Sequence, residues 1–237
     1  MIVTLETTWR TELLLRPARS AQGKLEGLEI IVKFIGADGH VHTPAGQVLP
    51  RLSAQSALTL FSEQLALLDA CKLFFMQHNI PAWINITPLI AGALLSDPEL
   101  AASVERFPFL EFTINENYPD LNKGKGHPEL SPLAERYSLV LANFGAGMSS
   151  TRALFDGLFK RVILDKNFVH HRLTSTSFEP FMRTILSQVK PYCQSIMIAG
   201  IDNETTLQRV MPFQFQAMMG ALWPPVSVAA LTTLVQG

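Results

Sequence analysis

The sequence predicts an α/β fold built as one closed (β/α)8-type barrel. Three observations predict it. Eight short apolar runs are spread along the chain, and longer helical patterns separate most of them. The length, 237 residues, is close to the ~250 typical of that barrel. Eight strands with intervening helices favour closure over an open sheet.

The first two runs, 12–15 and 27–34, are joined by a short polar turn at 20–24 and predict a hairpin. Residues 54–78 read as a long helix, because Phe61, Leu65, Leu68 and Phe75 recur on one face. The third run, 82–86, is followed by helical patterns at 88–95 and 97–104. In the second pattern Ser96 or Asp97 supplies the cap, and Pro98 falls in the first turn. After the fourth run, 110–114, comes segment 117–129, rich in Gly, Pro, Asn and Lys, which reads as the most mobile loop. The fifth run, 138–142, leads through a tight turn at Gly145 and Gly147 to a helix at 149–158, opened by Ser149 and Ser150. The sixth run, 162–165, precedes a helix at 178–189. The seventh, 195–199, precedes a helix at 203–210, and the eighth, 215–218, one at 226–235. Several runs are almost unbroken Val, Ile, Leu and Phe, as strands covered on both faces require. No repeat, low-complexity tract or long linker divides the chain, so residues 1–237 are expected to form a single domain.

Composition narrows the function. Hydrophobic residues make up 48% and charged residues 16%, which is the balance of a packed globular chain. Nineteen Lys and Arg face twenty Asp and Glu, for a net charge of -1. No basic block exists, so direct nucleic-acid binding has little electrostatic support. The densest basic spot, Lys123-Gly124-Lys125, reads as a solvated loop. Cys71 and Cys193 form no disulfide framework or metal cluster and read as free thiols, which suits a reducing cytoplasm. The first residues lack the basic-then-apolar pattern of a signal peptide. The final stretch, 210–237, is uncharged, but Gln214, Gln216 and Pro224-Pro225 interrupt it. It therefore reads as a buried strand and a packed helix, not a membrane span.

The segment LVLANFGAGMSS, at 139–150, resembles an active site stripped of its carboxylates. In a parallel α/β protein, catalytic acids sit at strand ends. Here the two strand-end positions are Ala142 and Asn143, and neither serves as a charged metal ligand or general base. That pattern points to binding instead of catalysis. Four other polar residues lie at or just after strand runs: Glu29, Asn85, Asp165 and Asp202. Polar groups in such positions are expensive to bury alone, and together they predict a shared polar mouth. His170-His171 and the pair His40 and His42 lack a third ligand and read as solvated. Trp83 and Trp223 read as barrel packing, and the glycine turn as structural, not as a phosphate nest.

These motifs, in this order, resemble the EAL-domain family of cyclic di-GMP phosphodiesterases. The name-giving Glu-Ala-Leu is similar to Glu29-Ile30-Ile31, and the family's strand Asn to Asn85, before Thr87-Pro88. Its Asp-Asp-Phe-Gly-Thr-Gly is similar to 142–147, its Lys-Ile-Asp to 163–165, and its Ala-Glu-Gly-Val-Glu to 198–202. The resemblance implies an EAL-like barrel over most of the chain. Active members resemble two-metal hydrolases that use Mg²⁺ or Mn²⁺. The departures imply loss of that chemistry. Ligand positions fall at Thr113, Ala142, Asn143 and Ala199, with Glu116 surviving nearby, and the site lysine falls at Ile163. A phosphate-binding arginine is replaced by Lys33 and a glutamine by Met219, before Gly220. No metal or cofactor is therefore expected, and no cyclic di-GMP hydrolysis. A closer similarity, carried by INENYPDLNKGK, FDGLFKRVILDKNF, SFEPFM and LTTLVQG, is to enterobacterial anti-flagellar EAL-like factors. It implies a post-translational repressor that binds the FlhD subunit of the flagellar master transcription activator. Such a repressor blocks the activator's action on DNA and can favour its delivery to the ClpXP protease. The alternatives are a phosphodiesterase with an altered metal set and a non-hydrolysing cyclic di-GMP sensor.

Overall fold

The computed structural model describes residues 1–4, 8–36, 42–43, 45–146 and 151–236. Ten strands are present among them: β1 (Ile2–Thr4), β2 (Thr8–Arg19), β3 (Leu25–Gly36), β4 (His42–Thr43), β5 (Ala82–Asn85), β6 (Leu110–Asn115), β7 (Ser138–Phe144), β8 (Arg161–Leu164), β9 (Ser195–Ala199) and β10 (Ala217–Met219). Eight close into a barrel in the order β2-β3-β5-β6-β7-β8-β9-β10, and β10 returns to β2. β1 and β4 extend it beyond the ring.

The barrel is closed, as the sequence predicts, and it is mixed. Strand β2 runs antiparallel to both its neighbours, β3 and β10, and every other pair in the ring is parallel. The cause is the predicted hairpin. Gly23, at a left-handed φ of 79°, donates its N–H to Ser20 O at 2.9 Å, so the chain reverses within a few residues. A parallel crossover needs a dozen residues or more.

The helices are α1 (Ala45–Val48), α2 (Ala54–His78), α3 (Pro88–Ser96), α4 (Pro98–Glu105), α5 (Leu130–Arg136), α6 (Thr151–Phe155), α7 (Lys166–Leu173), α8 (Phe178–Val189) and α9 (Glu204–Val210). In α2 the predicted face is buried, Phe61, Leu65, Leu68 and Phe75 all lying in the core. Ser53 caps its start by accepting from Ser56 N–H, and Asn79 ends it in the left-handed region. Asp97, not Ser96, caps α4, accepting from the N–H groups of Glu99 and Leu100. Two expectations need correction here. The last helical pattern, Val228–Val235, is a 3-10 helix. The eighth strand begins at Ala217, because Gln214 takes a left-handed φ of 54° and turns the chain before it.

Segment 117–129 carries a hydrogen-bond network of its own. His127 is buried; its Nε2 lies 2.9 Å from Pro119 O, and its Nδ1 accepts from Glu129 and Leu130 N–H. The Tyr118 hydroxyl donates to Glu129 Oε2 at 2.7 Å. Lys123 and Asp120 pair on the outside, so the basic spot is a solvated one, as read.

Two apolar layers result. Helices pack on the outside of the sheet over a large core that includes Phe75, Ile84, Phe112 and Leu141. A smaller core fills the barrel itself, around Trp83, Val140, Ile163 and Met197. A side chain at Gly27 would overlap the Trp83 ring, so glycine there makes room for the indole.

Candidate functional site at the barrel mouth

In a barrel of this type the C-terminal strand ends form the functional face. At that face the structure encloses a cavity of about 740 Å³. Glu29, Asn85, Thr113, Ala142 and Asn143 line it, from β3, β5, β6 and β7. With Lys33 of β3, six of the positions singled out in the sequence therefore share one space.

Their chemistry is subdued. Glu29 is held by Arg16 across the β2–β3 hairpin, with Nη1 3.1 Å from Oε2. Asn85 donates from Nδ2 to Thr113 O at 3.1 Å and to Thr113 Oγ1 at 3.3 Å. Thr113 is 1% exposed, so its hydroxyl is secured inside the wall. Ala142 faces the barrel interior. Asn143 is exposed at a left-handed φ of 60°, a conformation that Asn tolerates. The β7–β8 register shifts between Leu141 and Phe144, and that irregularity turns Asn143 outward.

The next turn is anchored from below. Gly145 takes a φ of 100° and donates its N–H to Glu116 Oε2 at 2.8 Å. The Phe168 ring sits where a Gly145 side chain would go. Glu116 is 3% exposed and fixes this loop from outside the cavity lining. The Ser149-Ser150 positions and Gly147 lie outside the described residues, as does His40.

Asp165 and Asp202 do not join the cavity, which corrects the expectation that all four polar residues form one mouth. Asp165 is the N-cap of α7; it accepts from Phe168 N–H at 2.9 Å and is 7% exposed. Asp202 accepts from Ala221 N–H at 2.9 Å and lies 3.0 Å from Lys166 Nζ. Burial pushes its carboxyl up, but Ala221 N–H and the Lys166 ammonium outweigh that and hold it below its ordinary value. His170, read as solvated, instead packs against this corner. Its Nε2 is 2.8 Å from Gly200 O and 3.5 Å from Asp202 Oδ2. His171 is exposed, as read. Ile163 and Ala199 pack in or against the barrel interior, with buried Met219 beside them. Among the described residues no group of three or more His, Cys, Asp or Glu side chains is placed to hold a metal ion.

Sequence reasoning missed the charged plug at the opposite, N-terminal end. Glu111, 4% exposed, lies 2.8 Å from Arg161 Nε and 2.9 Å from Lys160 Nζ, and accepts from Trp83 Nε1 at 2.9 Å. Burial pushes its carboxyl up, but Arg161 and Lys160 more than offset this, so it lies below its ordinary value. The signal in the sequence was an acid and a Lys-Arg pair, each at the first residues of an apolar run.

Comparison with known proteins places this architecture. The family described as the EAL domain matches residues 10–225, and the chain belongs to it. Over 236 residues it is 52% identical to the anti-FlhC(2)FlhD(4) factor YdiV of Salmonella arizonae, covering 100% of each. The crystal structure of EAL-like domain protein YdiV matches with a TM-score of 0.88 at 44% identity, covering 98% of this chain and 99% of that one. The PaMucR phosphodiesterase in its c-di-GMP complex matches with a TM-score of 0.73 at 18% identity, covering 93% and 94%, a likeness of fold. No described helix is long and apolar enough to cross a membrane.

Proposed function

We propose that this chain is a non-catalytic EAL-like repressor of the flagellar master transcription activator. It binds the FlhC–FlhD assembly through the FlhD subunit, keeps it off promoter DNA and directs FlhD to the ClpXP protease. It acts in the cytoplasm as one domain, without touching nucleic acid itself. The observation that carries this reading is the end-to-end similarity to proteins named as anti-FlhC(2)FlhD(4) factors.

The geometry supports the non-enzymatic half. A two-metal phosphodiesterase needs several carboxylates converging on hard cations. Among the described residues Glu29 is the one carboxylate lining the cavity, and Arg16 already neutralises it. Positions Thr113, Ala142, Ile163 and Ala199 offer a hydroxyl or bare hydrocarbon.

The test is co-purification with the activator, followed by a promoter gel shift. The expected outcome is a stable complex that no longer retards DNA, and no turnover of cyclic di-GMP with Mg²⁺ or Mn²⁺. Turnover would establish the phosphodiesterase alternative; tight binding without turnover would establish the sensor. Either result without complex formation sinks the repressor reading.

A further inference from the structure

We propose that the mouth cavity is a binding site for a small amphipathic carboxylate, a molecule with an apolar body and one anionic head. Its volume of about 740 Å³ falls within the roughly 300–1,000 Å³ of small-molecule sites. One wall is apolar: Leu49 and Leu52 follow α1, Leu60 and Phe61 come from α2, and Ile90 from α3. The opposite wall carries neutral hydrogen-bonding groups, among them Asn85 and Asn115.

Charge selects the head group. Among the described residues the ionisable groups lining the cavity are Arg16, Glu29 and Lys33. Arg16 and Glu29 neutralise each other at 3.1 Å. Lys33 makes no contact ion pair among the described residues, with Glu12 opposite it on β2, so it is the cavity-lining cation left available to a ligand. A single anion fits it. A cation does not, and a dinucleotide with two phosphates finds only one free partner.

Lys33 lies between the stretches of β3 that pair with β5 and with β4. Pairing of β3 with β5 ends at Ile30 opposite Ile84, and β4 meets β3 only from Phe34. Among the described residues, 31–33 therefore pair in register with β2 alone. Leu28 donates its N–H to Pro81 O on the β5 side. By the two-residue repeat of a strand, Val32 turns its N–H to that same side, toward Asn85 at the end of β5.

The inference does not depend on the flagellar reading, since its test needs no activator. Decanoate, decan-1-ol and decylamine are titrated separately into the full chain by calorimetry, each below its micelle concentration. Saturable one-to-one binding of decanoate is expected, with decylamine weakest. Lys33→Gln, a surface change, weakens decanoate roughly tenfold, as loss of one charge-assisted contact does, and leaves decan-1-ol unchanged. Ala57→Phe, which fills the α2 wall, abolishes both, with circular dichroism checking that the variant folds. Absence of saturable decanoate binding, equal binding of decylamine, or a Lys33→Gln variant that loses nothing would each overturn the proposal.

Discussion

The two ends of the barrel handle charge in opposite ways. At the N-terminal end Glu111 is buried, and three donors surround it: Trp83 on the adjacent β5, Arg161 at the start of β8, and Lys160 just before it. Arg161 in turn donates to Ser195 Oγ and Gln216 Oε1. At the C-terminal mouth, among the described residues, one carboxylate, Glu29, lines a cavity of about 740 Å³ with two cations, amides, hydroxyls and hydrocarbon. The contrast separates two uses of the same residue type. A buried acid with its full set of partners closes a barrel. A group of acids left partly unpartnered attracts cations, and it is this group that the mouth has lost. The N-terminal end is the part of the molecule where removing charge harms the fold; the mouth is the part where, among the described residues, one paired acid is left.

Breaking the closed end has the largest expected effect. Glu111→Ala strands two cations and an indole N–H, and removing one partner of a buried ion pair costs about 3–5 kcal/mol. Urea denaturation measures the loss; a change below about 1 kcal/mol would mean water reaches the plug freely. The pH dependence has a definite sign. Because the folded-state pKa of Glu111 is lowered, its stabilisation is complete above its ordinary unfolded value and is lost as pH falls through the folded one. Acid titration of stability is therefore steeper for the native chain than for Glu111→Gln. Gly27→Ala comes next, at about 1–3 kcal/mol, the usual cost of overpacking, because its methyl group meets the Trp83 ring. Near-ultraviolet circular dichroism detects the displaced indole, and an unchanged Trp83 signal would contradict the packing described here.

Much of the fold was legible because burial leaves a periodic trace. Helices 54–78 and 178–189 match α2 and α8 end to end, and the hairpin was marked by its short polar turn. What periodicity could not show was chemistry that depends on neighbours. α7 was missed because its sequence, KNFVHHRL, carries no apolar stripe; Asp165 starts it by capping Phe168 N–H. The same capping bond removes Asp165 from the mouth. Sequence order lined up the mouth residues, yet it could not tell a cavity-lining Glu29 from a tethered Asp202. Glu111 sat unnoticed in an apolar run, since its partners are 28 to 50 residues away.

Asp202 sharpens the comparison at smaller scale. It is tied to Ala221 N–H and Lys166, and Asp202→Ala removes one charge-assisted hydrogen bond, worth about 1–2 kcal/mol. Thermal unfolding reads this loss. A shift larger than that of Glu111→Ala would reverse the ranking of the two ends.

The smallest expected effect comes from putting charge back at the mouth. The double variant Ala142→Asp with Asn143→Asp restores the strand-end pair in sequence. No turnover of cyclic di-GMP above background is expected with Mn²⁺. The cation sites need more than that pair: Thr113 and Ala199 still supply no carboxylate, and Ile163 still fills the barrel interior. The Asn143 position is also exposed at a left-handed φ of 60°, a conformation that the new aspartate would have to keep. Measurable turnover would show that the β7–β8 irregularity relaxes when a metal is offered, and that the mouth lies two substitutions from a hydrolase. No turnover, with the fold intact, would show that two carboxylates at the strand end do not suffice, and that the rest of the mouth wall matters as much as its two most visible positions.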